Sequence, residues 1–375
     1  MLILKGKSIR KFDDCIGIIT RKKLGLFNRK DYIYVSDRID ITSVGYLGVL
    51  SSKPIKKCFY MPDGIENIEN IDILQDGDIV NINSDGLITI LWQKNSFQNL
   101  LFLTESCNCR CLMCPQPPKK HDENLVKIAN RVLDLIKIYD VSDICISGGE
   151  PTLLKDKFIH ILRRCVTEHA NANINILTNG KVFENKLFTE KVSSVASNNV
   201  MFCVSLHSNI PEVHDKIVGA KGSFIKTING IYNLAQYGKA IEIRIVVNKL
   251  NYNSLSRIAE YLSNYIPFCV HYVFMGMEVH GLAIDNFEEI NAYPYEYRNE
   301  LREAVLLMYQ KGLPVSVYNV PLCMIDYSIR RFAERSISEW KNMYLTQCES
   351  CTKKNNCCGF FETSKHLALD FIRPL

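Results

Sequence analysis

The sequence predicts an α/β fold: an incomplete (β/α)6 TIM-like barrel with a small β-rich N-terminal domain and a Cys-rich C-terminal extension. Three observations carry this. Six short apolar runs alternate with helix-period segments between residues 98 and 275. That is the pattern of a parallel sheet wound by right-handed crossovers. Residues 1–95 instead break into β-like runs separated by turns. Beyond 285 the pattern is mainly helical and ends in a knot of cysteines.

The expected domains are therefore 1–95, 96–284 and 285–375. The first holds "CIGIIT", "DYIYVS", "GYLGVL", "DGDIVNI" and "DGLITILW", with Asp-Gly pairs at 76–77 and 85–86 as hairpin turns. In the second, strands are expected at 100–104, 143–147, 174–177, 201–206, 241–247 and 270–275. Helices fill the gaps at 124–139, 155–169, 184–197, 222–237 and 254–264. In the third, "RNELREAVLLMYQKG" (298–312) has the apolar spacing of a packed helix, and "PVSVYN" (314–319) is strand-like.

The chain has 375 residues, 47% of them apolar, enough to bury a large core. No apolar run approaches the ~18 residues that span a membrane. The opening "MLILKGKSIRKFDD" lacks the apolar stretch and cleavage site of a signal peptide. A cytoplasmic protein with no membrane partner is expected. Residues 1–60 hold 13 Lys and Arg against 5 Asp and Glu, although the net charge of the whole chain is only +5. Such a region meets acidic partners or forms a solvated face. It lacks the aromatic-interleaved basic stripe of a nucleic-acid binder.

Fifteen cysteines are too few for a disulfide scaffold, but their clustering points to metal. Cys107, Cys111 and Cys114 make C-x3-C-x2-C directly after the first barrel strand. Barrels of this kind place their sites at the C-terminal ends of strands. A structural zinc site uses four protein ligands. Three thiolates on a four-iron cube leave one iron open to an exogenous ligand. A zinc knuckle is the competing reading. Cys109 lies between these cysteines and is expected to be a non-ligating thiol. "SGGEP" (147–151), "LTNG" (177–180), "VSLHS" (204–208) and Arg244 in "IEIRIVVN" each end or occupy a later strand. The glycines suit close backbone approach to a ligand. A second set, Cys323 with "QCESCTKKNNCCGFF" (347–361), gives C-x2-C-x5-C plus a distant cysteine. That suits an auxiliary Fe–S cluster or a four-thiolate zinc site. Of the adjacent Cys357 and Cys358, Cys357 is taken as the ligand.

Together these motifs resemble radical S-adenosylmethionine (SAM) enzymes, which implies the radical SAM type of barrel. The resemblance implies a [4Fe-4S] cluster on Cys107, Cys111 and Cys114 that binds SAM through its open iron. Around SAM it places Gly148, Gly149, Glu150, Asn179, Ser205, Arg244 and Met113, the last where the family often has an aromatic beside the adenine. An ion pair is the alternative role for Arg244. Reductive cleavage of SAM would give a 5′-deoxyadenosyl radical, with no acid–base residue singled out as catalytic. The C-terminal extension resembles SPASM and twitch domains, implying an auxiliary [4Fe-4S] cluster on Cys323, Cys348, Cys351 and Cys357, with zinc as the alternative. "CLMCPQPP" (111–118), "SGGEPTLL" (147–154), "FMGMEVHGLA" (274–283), the block at 335–364 and the terminal "IRPL" resemble the His-Xaa-Ser system radical SAM maturase HxsC from about residue 75 onward. That family carries Gly where this chain has Cys358. The implied partners are a precursor peptide with His-Xaa-Ser repeats, a second radical SAM maturase and an electron donor. The implied activity is modification of a ribosomally synthesised peptide.

Two other readings stand beside this one: a radical SAM enzyme acting on a small molecule or nucleic acid, and a zinc- or Fe–S-stabilised interaction protein without catalysis. Four further residues have ordinary packing as the alternative to lining a pocket: His207, His271, Glu278 and His280.

Overall fold

A computed structural model describes residues 2–38, 43–55, 62–119, 124–338, 340–367 and 372–375, with the side chains of 365–367 left aside. The chain sorts into two compact units. One takes Met1–Phe102, Glu123–Cys145 and Thr167–Asn173; the other takes Leu103–Asp122, Ile146–Val166 and Ile174–Leu375.

The N-terminal residues form an eight-stranded sheet. Its strands are β1 (Ile3–Lys5), β2 (Lys7–Ser8), β3 (Cys15–Thr20), β4 (Tyr32–Val35), β5 (Gly48–Leu50), β6 (Gly64–Glu66), β7 (Ile79–Ile82) and β8 (Leu87–Trp92). The order is β1-β8-β7-β3-β4-β5-β6-β2. Consecutive β1 and β2 sit at opposite ends of that order, so one kinked strand pairs with β8 through one half and β6 through the other. The sheet closes on itself as a small barrel, which removes free edges. Gly6 is the kink. A Cβ there would stand 2.6 Å from Ile65 Cγ2 and 2.7 Å from Glu66 O. Leu4, Ile19, Ile33, Leu50, Ile65 and Val80 are among the residues that fill the interior. The Asp-Gly pair at 85–86 forms the expected hairpin, with Gly86 at φ +78° and its N–H on Asn83 O at 3.1 Å. The pair at 76–77 does not. It makes a turn into β7, where Asp78 N–H meets Gln75 O at 3.1 Å.

The second sheet runs β9 (Leu100–Phe102), β10 (Asp143–Ser147), β11 (Asn173–Thr178), β12 (Val200–Ser205), β13 (Ala240–Val246), β14 (His271–Met275) and β15 (Val315–Tyr318), in sequential spatial order. From β11 to β15 neighbouring strands pair in parallel. This is the incomplete barrel, with the strand-like piece at 314–319 added as a seventh strand beside β14. Helices α1 (Asn124–Ile136), α2 (Asp156–Glu168), α3 (Lys186–Val195), α4 (Pro211–Val218), α5 (Ser223–Gln236) and α6 (Leu255–Tyr265) connect the strands. They form because apolar residues recur at helical spacing, and their ends are marked locally. Asn185 caps α3 by accepting from Phe188 N–H at 3.0 Å. Pro211 starts α4, and Gly219 ends it in the left-handed region at φ +61°.

After α7 (Leu282–Asp285), α8 (Phe287–Ile290) and α9 (Pro294–Gln310), the chain from 319 onward is not the helical run expected. Short single-turn helices and one two-stranded ribbon, β16 (Asn342–Met343) with β17 (Phe360–Phe361), fold it around the cysteines. Among the described residues no helix is long and apolar enough to cross a membrane.

Candidate active site

The cysteine loop follows β9. Its two ends are tied together, with Lys119 N–H on Glu105 O at 3.1 Å and Lys119 Nζ 3.2 Å from Glu105 Oε1. Inside it, Cys114 N–H donates to Cys111 O at 3.0 Å, the turn that the x2 spacing allows. The other wall is α4. Arg110 and Leu112 N–H groups donate to Val218 O at 3.0 Å and Ile217 O at 2.9 Å. A Cβ on Gly219 would collide with Arg110 O, so glycine is needed there for space as well as for backbone angle. Neither α4 nor Gly219 was read from the sequence. The signal was present in Pro211 at the helix start and Gly219 just past its end.

"SGGEP" plays two structural parts. A Cβ on Gly148 would stand 2.6 Å from Thr104 O, and one on Gly149 would meet Ser106 O. Gly149 N–H donates to Thr104 O at 2.7 Å, and Glu150 N–H to Ser106 O at 2.9 Å. The closest neighbour of both glycines is thus the backbone that leads into the cysteine loop. Glu150 is 1% exposed. Its Oε1 accepts from Thr152 N–H (3.1 Å), Thr152 Oγ1 (2.6 Å) and Thr178 Oγ1 (2.8 Å), and its Oε2 from Asn179 N–H (2.7 Å). Burial raises its pKa, and these donors oppose the rise. The carboxylate joins the ends of β10 and β11 beneath the loop.

Asn179 and Lys181 reach the loop from the end of β11. Asn179 Nδ2 donates to Asn108 Oδ1 at 2.7 Å, and Lys181 Nζ to Asn108 O at 3.0 Å. Lys181 Nζ also lies 3.4 Å from Cys109 Sγ. Cys109 is buried, its sulfur also accepts from Asn179 Nδ2 at 3.6 Å, and its N–H donates to Cys107 Sγ at 3.4 Å. The neighbouring Cys107 and Cys111 side chains and Lys181 hold it well below the ordinary thiol range, while Cys107 and Cys111 themselves are pushed up. Cys109 therefore sits among the motif cysteines, not behind them. Burial raises Cys114, whose thiol donates to Gln116 O at 2.9 Å.

Ser205 and Arg244 lie opposite each other on β12 and β13. Arg244 Nε donates to Glu242, and Glu242 Oε2 also meets His271 Nδ1 at 2.8 Å. His271 Nε2 lies 3.0 Å from Ser316 Oγ on β15. Burial favours the neutral form of Glu242, but His271 and Arg244 outweigh it and hold the group down at about 2. The ion pair considered for Arg244 is thus present, and His271 is part of it. The period-2 placement of Glu242 and Arg244 in an otherwise apolar strand was the unread signal. Met113 is buried with Ile217, Ala283 and Ile290 in a small apolar cluster. His207 and His214 are buried and stacked at 5.9 Å. Glu278 is engaged by Lys341 Nζ at 2.8 Å, and His280 is exposed.

At the second cysteine set, Cys323, Cys348, Cys351 and Cys357 line one pocket together with Tyr344 and Arg373. Cys351 Sγ accepts from Leu375 N–H at 3.4 Å, and Cys357 Sγ from Leu322 N–H at 3.4 Å and Gly359 N–H at 3.5 Å. Amide donors to sulfur are what a thiolate ligand needs. The neighbouring Cys358 side chain, whose thiol donates to Gly359 O at 3.4 Å, lowers Cys357 to about 6. Cys358 itself is 2% exposed and packs with Ile337 and Phe361, away from the cavity. Among the described residues no three His, Cys, Asp or Glu side chains stand as ligands of a single metal ion.

The chain matches the family model for the radical SAM superfamily over residues 101–262. It is 26% identical over 208 residues to the "Probable GTP 3',8-cyclase" of Methanococcus aeolicus, covering 54% of this chain and 64% of that protein. It is 25% identical over 170 residues to the sporulation killing factor maturation protein SkfB of Bacillus subtilis, covering 44% of this chain and 39% of that one. The chain thus spans less than two thirds of either relative. Among solved structures, Streptococcus suis SuiB bound to S-adenosylmethionine aligns at TM-score 0.49 and 18% identity, over 58% of this chain and 49% of that one. Residues 101–262 of this chain are a radical SAM superfamily domain.

Proposed function

We propose that this protein is a radical SAM peptide maturase, acting on a ribosomally synthesised precursor of the His-Xaa-Ser repeat type. The cofactors of its domain are a [4Fe-4S] cluster and SAM. When bound, they supply a 5′-deoxyadenosyl radical that abstracts hydrogen from a substrate held nearby. Cys107, Cys111 and Cys114 would hold the cluster. Gly148, Gly149, Glu150, Asn179, Ser205, Arg244 and Met113 would surround SAM. The chain's own part is positioning and exclusion of water. Glu150 locks the strand ends below the loop, Asn179 and Lys181 fix its crest, and the Met113 cluster seals its α4 side.

One observation carries the peptide reading: the segments that resemble the maturase family interlock around one site. Gly281 of "FMGMEVHGLA" fits against the backbone of Cys114 and Pro115, 2.6 Å from each carbonyl oxygen for a Cβ placed there. Leu282 N–H donates to Cys114 O at 2.9 Å. From the C-terminal block, Lys341 pairs with Glu278, and Ser364 Oγ accepts from Val279 N–H at 3.2 Å. The same block carries three of the four cysteines around the second pocket, Cys348, Cys351 and Cys357, with Cys323 upstream. With Cys323 these four thiols would hold an auxiliary [4Fe-4S] cluster, and a four-thiolate zinc site is the alternative. An electron donor and a second radical SAM maturase complete the expected partners.

Co-expression with a candidate His-Xaa-Ser precursor tests this by intact mass. A mass change with wild type that is absent with the Cys107/Cys111/Cys114→Ala variant supports it. An unaltered peptide in both contradicts it. The cyclase likeness supports a second reading, a small nucleotide as substrate. Consumption of GTP without peptide modification would favour that reading.

A further inference from the structure

Among the described residues the N-terminal barrel is closed by its own β1–β2 strand and filled by aliphatic side chains. It presents the loop "RKKLGLFNRK" (21–30). Phe27 is 94% exposed, the most exposed large apolar side chain among the described residues, and Leu26 beside it is 59% exposed. The loop is held in place. Arg21 donates to Leu74 O at 2.6 Å and Ile71 O at 3.2 Å. Arg29 donates to Leu24 O at 2.8 Å and Val44 O at 2.7 Å, and its guanidinium lies 4.9 Å over the Tyr46 ring. Tyr46 in turn takes Leu24 N–H on its hydroxyl at 2.7 Å and stacks on Tyr34. These bonds keep the tip from collapsing onto the barrel. The ten residues carry five cations and no carboxylate. Arg21 and Arg29 serve the loop itself, Lys23 is exposed but already engaged, and Lys22 and Lys30 are exposed on either side of the tip.

We propose that this loop docks an acidic segment of the polypeptide substrate, with Leu26 and Phe27 taking an apolar side chain and the lysines taking its carboxylates. The identity of the occupant as substrate rests on the peptide-modifying reading. Charge complementarity selects an acidic ligand, and a preorganised aromatic is a low-entropy anchor. A lipid surface is disfavoured. Three exposed lysines fall short of the roughly four to eight cations that hold a protein to anionic lipid, and two apolar side chains insert little area.

The test uses the full, cluster-reconstituted chain under anaerobic conditions. The probe is a fluorescein-labelled peptide of about fifteen residues, rich in Asp and Glu and carrying one Phe and one Leu. Wild type should bind it, more weakly as salt rises. Phe27→Asp should lose about tenfold or more in affinity. Lys22→Glu/Lys30→Glu should lose several-fold and show a flatter salt dependence. Both variants should keep the wild-type melting temperature and peptide-free SAM cleavage, since the residues are exposed and belong to neither cysteine site. Equal affinity in all three proteins, or no binding by wild type, overturns the proposal. So does binding to phosphatidylserine vesicles that Phe27→Asp abolishes while peptide affinity stays unchanged. Absence of SAM cleavage in wild type would instead sink the enzyme reading, and the peptide titration would still report on the loop.

Discussion

At Glu150 a carboxylate that is 1% exposed accepts four hydrogen bonds from Thr152, Thr178 and Asn179. A buried charge is tolerated only with such donors. His207 and His214 solve burial the other way, by staying neutral. Burial lowers His207 to about 3 and His214 to about 4 from the ordinary 6.5; His214 adds to the fall of His207, while Asp215 and Cys109 only partly oppose that of His214. His214 Nδ1 accepts from His207 N–H at 3.2 Å, and His207 Nδ1 from Val246 N–H at 3.3 Å, so both rings hold backbone at the ends of β12 and β13. Because folding depresses both values, the unfolded chain binds more protons below pH 6.5. The stability from these neutral rings is intact above pH 6.5 and is lost as pH falls toward the folded values. At pH 5 each costs about 2 kcal/mol. Urea unfolding at pH 7.5 and pH 5 checks this. His214→Gln should flatten the dependence, and an unchanged slope would contradict the assignment.

The cysteine loop and the β10 turn fit each other at backbone contact. Gly149→Ala would drive a methyl into Ser106 O, and the resulting strain should cost about 1–3 kcal/mol. A thermal melt measures the loss. The same variant should hold its cluster less well than wild type after reconstitution, as read from the visible absorbance. An Ala variant as stable as wild type would show that the turn relaxes freely. At this scale much was legible in the sequence. The barrel strands were, because buried parallel strands are short apolar runs between helices. β15 was recognised as strand-like but not as part of the sheet, since nothing local says which neighbour a strand pairs with. α4 escaped because eight residues give too few turns for a periodic signal. The contact of Thr178 with Glu150 joins residues 28 apart, and such tertiary pairs leave no local mark. Cys357 and Cys358 are adjacent in sequence, and only their packing separates the cavity-lining thiol from the buried one.

Across the molecule, both cysteine sets and every residue assigned to SAM fall within one compact unit, while the basic loop at 21–30 falls within the other. Chemistry and the proposed docking of an acidic substrate would thereby belong to different compact units of the chain. In "ESCNCRCLMCPQPPKK" the three spaced cysteines lie on one tied loop, with the Gly-Gly turn, the end of β11 and α4 arranged about it. The central claim is that this loop supports reductive SAM cleavage. The direct measurement is 5′-deoxyadenosine formed after anaerobic reconstitution with dithionite and SAM. Wild type should form it and the Cys107/Cys111/Cys114→Ala variant should not; equal amounts from both would contradict the account.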